Sequence, residues 1–132
     1  MAASDRALVL FAHGARDARW REPFERLQQK LVAALPGCEV RLAFLELMSP
    51  LLADTLAELA AGGVAEVTVV PVFFGQGGHI RRDLPALLDQ CRQAHPGMRL
   101  HCAAAVGESD AVLDAIAAYC MASLPGTDRA QP

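Results

Sequence analysis

Four short apolar runs alternate along the chain with four stretches of helical periodicity. Ala7–Ala12 (ALVLFA) is apolar at every position, the pattern of a strand buried on both faces of a parallel sheet. Pro23 suits a first helical turn, so a helix is predicted from near Arg21. Phe24, Leu27, Leu31, Val32 and Leu35 then fall on one face, and Pro36-Gly37 stops it. Glu39–Leu45 reads as the second strand. Ser49 as N-cap and Pro50 at the first helical position predict a second helix with an apolar side of Leu52, Leu56, Leu59 and Ala60, ended by Gly62-Gly63. Ala65–Phe74 is a third strand, valine-rich and expected to be buried on both faces; Pro71 marks where its regular pairing ends. Asp83 as N-cap with Pro85 in the first turn predicts a third helix to about Ala94. His79-Ile80-Arg81-Arg82 then lies in the preceding loop or in a helical turn just before that helix. Met98–Ala105 is the fourth strand. Gly107-Glu108-Ser109-Asp110 starts a fourth helix with Val112, Leu113, Ile116, Ala117 and Cys120 on its apolar face, and residues 125–132 read as a frayed tail.

The order βαβαβαβα with short links predicts one α/β domain over residues 1–132, with an ordered core of about 7–123. The expected architecture is a four-stranded parallel sheet of order 2-1-3-4 with helices on both faces, a flavodoxin-like three-layer sandwich. Its switch point falls between strands 1 and 3, and open sheets of this kind take ligands outside the carboxyl ends of their strands.

Composition narrows the function. A hydrophobic content of 53% with 20% charged residues is that of a folded chain, and a net charge of −3 gives no reason to expect a nucleic-acid partner. Lys30 is the only lysine, so the basic residues are almost all arginine, the better group for bidentate grip on carboxylates. The four cysteines, Cys38, Cys91, Cys102 and Cys120, form no C-x-x-C pair or zinc spacing, and are expected to be reduced and mostly buried. No signal-peptide pattern or membrane-length apolar run of ~20 residues is present, so a soluble, cytoplasmic protein without a membrane partner is expected.

The predicted topology brings chemistry to one edge. His13 follows strand 1, Glu46 follows strand 2 and His79 follows strand 3, and these strands are neighbours ~4.8 Å apart. Two imidazoles and a carboxylate make a partial shell for a divalent metal with positions open to substrate. Each also has a plainer reading: His13 bonded to a nearby carbonyl, Glu46 solvated, His79 packed in its loop. His95 and His101 read as structural. Gly75, Gly77 and Gly78 permit close approach of a ligand to the third loop. Arg16, Arg19, Arg81 and Arg82 make that edge locally basic, suited to an anionic substrate or simply solvated. There is no G-x-x-x-x-G-K-[ST], no G-x-G-x-x-G after strand 1 and no G-x-S-x-G. His13-Gly14 lacks the preceding arginine of a histidine phosphatase, and Ala12-His13 stands where a receiver domain needs acidic residues.

The segments FAHGAR (11–16), FLELMSP (44–50) and VVPVFFGQGGHIRRDLP (69–85), in this order, resemble the type II tetrapyrrole chelatases, and within them the CbiX-type sirohydrochlorin cobaltochelatases in their short single-domain form. The likeness runs over about residues 7–123. It implies a chelatase-like fold and insertion of Co²⁺ into a sirohydrochlorin-type tetrapyrrole, with Fe²⁺ or Ni²⁺ as the alternatives and no nucleotide. The family's metal-binding histidines match His13 and His79. The resemblance further implies a homodimer whose two copies close the cleft. Ala15 departs from the serine many members carry, which puts in doubt a hydroxyl contact there. In this reading Glu46 or a histidine collects the two pyrrole protons, Gly77 and Gly78 let the macrocycle approach, the arginines bind its carboxylates, and Phe73, Phe74, Leu47 and Met48 pack against the ring or else belong to the core. A non-catalytic metal or tetrapyrrole carrier, and a regulatory partner domain of a larger enzyme, are the readings from other classes.

Overall fold

Strand β1 (Arg6–Ala12) is the hub of the sheet, pairing in parallel with β2 (Cys38–Phe44) on one side and β3 (Glu66–Pro71) on the other. With β4 (Arg99–Cys102) beyond β3, the sheet has the order β2-β1-β3-β4, as the sequence predicts. The computed structural model describes residues 5–75 and 77–126, with residues 78 and 79 described by their backbone alone. Residues 1–4 and most of the expected tail, 127–132, lie outside the described residues.

Alternate side chains of β1 feed two separate cores. Val9 and Phe11 join Ala43, Val67, Val69 and Leu100 under α2 (Leu52–Ala61) and α3 (Gly78–Ala94), which contribute Leu52, Leu56, Leu59, Ile80, Leu84 and Leu88. Leu10 and Ala12 join Val40, Leu42 and Phe44 on the other face, under Trp20, Phe24, Leu27 and Leu31. Those four belong to a 3-10 turn (Ala18–Arg21) and to α1 (Glu22–Ala34), which starts and stops where Pro23 and Pro36-Gly37 predict. Each large apolar side chain so enclosed is worth roughly 1.5–3 kcal/mol. Thr55, the buried polar side chain of α2, donates its hydroxyl to the Leu51 carbonyl at 3.2 Å and so meets the usual condition for burial.

Several local expectations are corrected. Ser49 does not cap α2, which begins at Leu52: Phe44 donates its N–H to the Pro50 carbonyl at 2.9 Å and Leu51 bridges back to Phe44, so this segment is still paired alongside β2. Helix α3 starts at Gly78, ahead of Asp83, and Pro85 lies inside it. An interior proline costs about 3 kcal/mol. Ile80 and Leu84, buried ahead of it in the apolar row that continues past it to Leu88 and Cys91, offset a cost of that size. His79, Arg81 and Arg82 therefore belong to the helix. Strand β3 ends at Pro71, where pairing was expected to stop, and not at Phe74. It is buried on one face only: Val67, Val69 and Pro71 are enclosed, Thr68 and Val70 half-buried.

That half-open face traces to α4 (Asp110–Ala122), which follows a 3-10 turn (Val106–Glu108) and is capped by the Ser109 hydroxyl accepting from the Val112 N–H at 3.4 Å. Among the described residues no α4 side chain is buried or joins either core. The same geometry corrects the cysteines. Cys91 is buried, and desolvation pushes its thiol up; Cys38 is half-buried; Cys120 on α4 and Cys102 at the end of edge strand β4 are exposed. Among the described residues no helix is long and apolar enough to cross a membrane.

Candidate functional site

Three loops leave the carboxyl edge of the sheet. His13 is the first residue after β1 and its side chain is exposed. Phe73 packs edge-on against its ring at 6.3 Å between centroids, and against Phe11 of the core at 6.0 Å. This contact orients the imidazole without using its nitrogens. Phe73, a candidate ring-face residue from sequence, thus supports His13 from below.

The second loop is bound to the first. The Leu45 N–H donates to the Ala12 carbonyl at 2.9 Å and the Glu46 N–H to the His13 carbonyl at 3.2 Å, so the β1–β2 ladder runs past the end of β2. Glu46 itself is exposed. Gly14 has φ of +97° and lies so close to Glu46 that a Cβ built on it would overlap the Glu46 carbonyl oxygen. Leu47, the next residue, sits at φ 68° and is 53% exposed. Arg21 holds the loop from the other side: its Nη1 donates to the Ser49 carbonyl at 3.3 Å, and its guanidinium stacks 5.1 Å above the ring centroid of buried Phe44. Sequence reasoning missed Arg21, because an arginine at a helix start carries no signal for a contact 28 residues away. It also missed the closeness of Gly14, for which His-Gly at a strand end was the available cue.

The third loop leaves β3 with the Val72 N–H donating to the Phe11 carbonyl at 2.8 Å, exposes Phe74, and enters α3 with Gly77 as N-cap. The backbone of His79 lies in the first turn of α3. Its side chain, and so its expected meeting with His13 and Glu46, lies outside what is described. Among the described residues no group of three His, Cys, Asp or Glu side chains gathers at metal-binding distance.

The arginines divide. Arg16, Arg81 and Arg82 are exposed near this edge, the last two in the opening turns of α3. Arg19 donates to Asp17 from Nη2 at 2.8 Å and Nε at 3.2 Å, while Asp17 caps the following turn through the Arg19 N–H. The guanidinium and that amide hold the Asp17 carboxyl below its ordinary range. The first turn of α3 has no acidic residue, and Asp83 directly follows Arg81 and Arg82. Met48 packs into the α1-side core, so Leu47 and Phe74 are the apolar candidates left exposed at the rim.

The other histidines lie elsewhere. His101 is 3.0 Å from Glu66, whose carboxyl is held below its ordinary range by His101 and then by Arg99. His95 closes the end of α3. At the candidate edge, Leu45, Ile80, Asp83, Leu84 and Leu87 line an apolar groove of about 110 Å³. Ligand pockets run to about 300–1,000 Å³. A cavity of about 340 Å³ sits at the opposite edge among Ala60, Val64, His95 and Met98, where sheets of this kind do not bind ligands.

Known proteins of the same fold are similar to this chain. A sirohydrochlorin cobaltochelatase of Methanopyrus kandleri is 33% identical over 82 residues, 62% of this chain and 57% of the relative. One from Saccharolobus solfataricus is 33% identical over 81 residues, 61% of this chain and 62% of the relative. The match thus spans about three fifths of the curated relatives' length. The crystal structure of a putative cobalamin biosynthesis CbiX protein from Marinobacter aquaeolei has a TM-score of 0.77 and 32% identity over 88% of this chain and 94% of that one. A cobalt complex of the sirohydrochlorin chelatase from Bacillus subtilis shares the fold, with a TM-score of 0.75 at 19% identity over 89% of this chain and 50% of that one. The CbiX family model matches residues 7–120, from the first strand into the last helix, and the chain belongs to the CbiX family.

Proposed function

We propose that this chain is a sirohydrochlorin metal chelatase, inserting Co²⁺ into a sirohydrochlorin-type tetrapyrrole and working as a homodimer. The observation that carries the reading is the joining of His13 and Glu46 by their backbones at the sheet edge onto which α3, with His79 in its first turn, also opens. Its support includes the cobaltochelatase names of the curated relatives.

In this mechanism neutral imidazoles of His13 and His79 hold the incoming ion with positions left for the macrocycle nitrogens. Ligand exchange passes the ion to the ring as two pyrrole N–H protons leave, so one Co²⁺ replaces two H⁺. Glu46, exposed and next in space to His13, is the proposed proton acceptor. The peripheral carboxylates of the ring pair with Arg16, Arg81 and Arg82. The groove of about 110 Å³ is too small to enclose the macrocycle, which favours closure by a second copy.

The test is direct. Sirohydrochlorin, Co²⁺ and the chain are mixed and the macrocycle absorbance followed. Insertion faster than in the metal-only control is expected, with Fe²⁺ and Ni²⁺ as parallel arms. Tight binding of tetrapyrrole with no acceleration for any metal would make the protein a carrier.

Leu47 supplies an independent check. An exposed leucine at φ 68° costs about 1–2 kcal/mol of backbone energy, and strain of that kind collects at functional positions. Leu47→Gly is expected to keep or raise the melting temperature while weakening tetrapyrrole binding several-fold, because the rim loses an apolar contact. Unchanged KM would remove Leu47 from the site.

A further inference from the structure

The second loop turns at a point that has to be held from both sides. Leu47 stands at φ 68° with its side chain largely in solvent. Backbone angles of that kind persist only where the surroundings over-determine them. Ahead of Leu47 the hold is the continued ladder, with the Leu45 N–H on the Ala12 carbonyl and the Glu46 N–H on the His13 carbonyl. Behind it the chain returns to Phe44, whose N–H donates to the Pro50 carbonyl, and Met48 packs into the α1-side core. Ser49 lies between these two anchors, and Arg21 is the side chain that reaches its carbonyl.

Arg21 is aimed at that carbonyl by three contacts. Its Nε lies 3.1 Å from the Glu25 carboxylate, one turn into α1, and its guanidinium stands 5.1 Å from the ring centroid of Phe44. Phe44 is fully buried and lies 6.3 Å from the Trp20 ring, which in turn stacks on Phe24 at 4.6 Å. A guanidinium can lie on an aromatic face and donate in its own plane at once, which a lysine ammonium cannot match. A partly exposed ion pair one helical turn apart adds little stability, so the Glu25 contact aims the group more than it holds the fold. The contact with Ser49 also closes a circuit. The first loop runs from His13 past Arg16 to the 3-10 turn that carries Arg21. It meets the second loop at its start, where Gly14 lies against Glu46, and again at its end, where Arg21 meets Ser49. Two loops joined at both ends cannot shift independently.

We propose that Arg21 is a positioning residue for metal insertion: by binding the Ser49 carbonyl while stacked on Phe44, it holds the second loop so that Glu46 and Leu47 stay at the edge His13 occupies. In this role Arg21 touches neither the metal nor the macrocycle and acts through the loop. The inference rests on Glu46 as the proton acceptor of the proposed function and adds what keeps that carboxylate in place. A reacting group displaced by ~1 Å can lose up to about 100-fold in rate, so a clamp remote from the chemistry has a measurable effect on it.

The test compares two full-length variants. Arg21→Met keeps an unbranched stem over Phe44 and no donor; Arg21→Lys keeps a donor and serves in its place if Arg21→Met folds poorly. Hydrogen exchange of the Phe44, Leu45 and Glu46 amides, whose bonds tie the loop down, is expected to be several-fold faster in Arg21→Met, with the amides within β1 unchanged and Arg21→Lys in between. Cobalt insertion by Arg21→Met is expected to be about 10-fold slower in kcat. Its affinity for Co²⁺ without tetrapyrrole should match the parent's, because His13 follows β1 directly and is seated on Phe73. In a Glu46→Gln background, Arg21→Met is expected to cost little further kcat, since the group it positions is already gone. An equal loss of kcat in both backgrounds overturns the proposal, as does unchanged amide exchange, or a loss of Co²⁺ affinity as large as the loss of kcat, which would mark general damage to the edge. If the parent chain inserts no metal, the proposed chemistry falls and the amides alone decide the clamp: faster exchange in Arg21→Met upholds the hold on the second loop, and unchanged exchange overturns it.

Discussion

His13→Ala is expected to lower the rate of cobalt insertion about 100-fold or more, and His79→Ala to do the same. The melting temperature of His13→Ala should hardly move. His13 is exposed and stands just past the end of β1, so its truncation opens no cavity in either core. The loss is expected chiefly in kcat, with smaller change in KM for the tetrapyrrole, whose carboxylates are proposed to pair with arginines on other elements. The double variant is the sharper measurement. Groups that act on one ion as a unit are strongly non-additive. Removing both histidines should therefore cost little more than removing one. A double variant slower by the product of the two single effects would mean that the imidazoles do not share an ion, and would return His79 to a separate role at the start of α3. Direct titration with Co²⁺ should follow the same logic, with affinity falling sharply in each single variant and little further in the double.

What was legible in the sequence, and what was not, divides by range. Apolar runs alternating with helical periodicity suffice for βαβαβαβα, and the strand order follows from short right-handed crossovers. His13 and Glu46 were legible because a residue just after a parallel strand must lie at the carboxyl edge. The errors came where a local signal competed with burial. Asp83 and Pro85 read as a helix start, but Ile80 reaches the core and draws α3 back to Gly78. Ser49-Pro50 read as a cap, but this segment remains paired alongside β2. The valines of β3 read as doubly buried, which assumed that α4 would pack on its own sheet. Periodicity says that a helix has an apolar face and not which surface receives it. The contacts of Arg21 with Ser49 and Phe44 join residues distant in sequence and have no local signature.

Gly14→Ala is expected to be strongly destabilising, at roughly 2–5 kcal/mol, from two costs with different origins. An alanine at φ of +97° leaves the allowed regions for an L-residue, at about 1–2 kcal/mol. Its Cβ would also overlap the Glu46 carbonyl oxygen. Relieving such overpacking by moving backbone costs typically ~1–3 kcal/mol. Little nearby can give way. Glu46 is held to His13 by its N–H, Leu45 to Ala12, and the loop beyond is held at Ser49 by Arg21. Against a total stability of about 5–15 kcal/mol this is a large share, and for a domain of this length it corresponds to a fall in melting temperature of about 8–20 °C. A chain that escapes by shifting the second loop keeps part of that stability and pays in rate, because Glu46 and Leu47 then leave the edge they share with His13. Gly14→Ala should therefore lose stability, insertion rate or both. A variant that melts and turns over like the parent would mean that the first and second loops are not pressed together in solution, and would remove the basis for placing Glu46 beside His13.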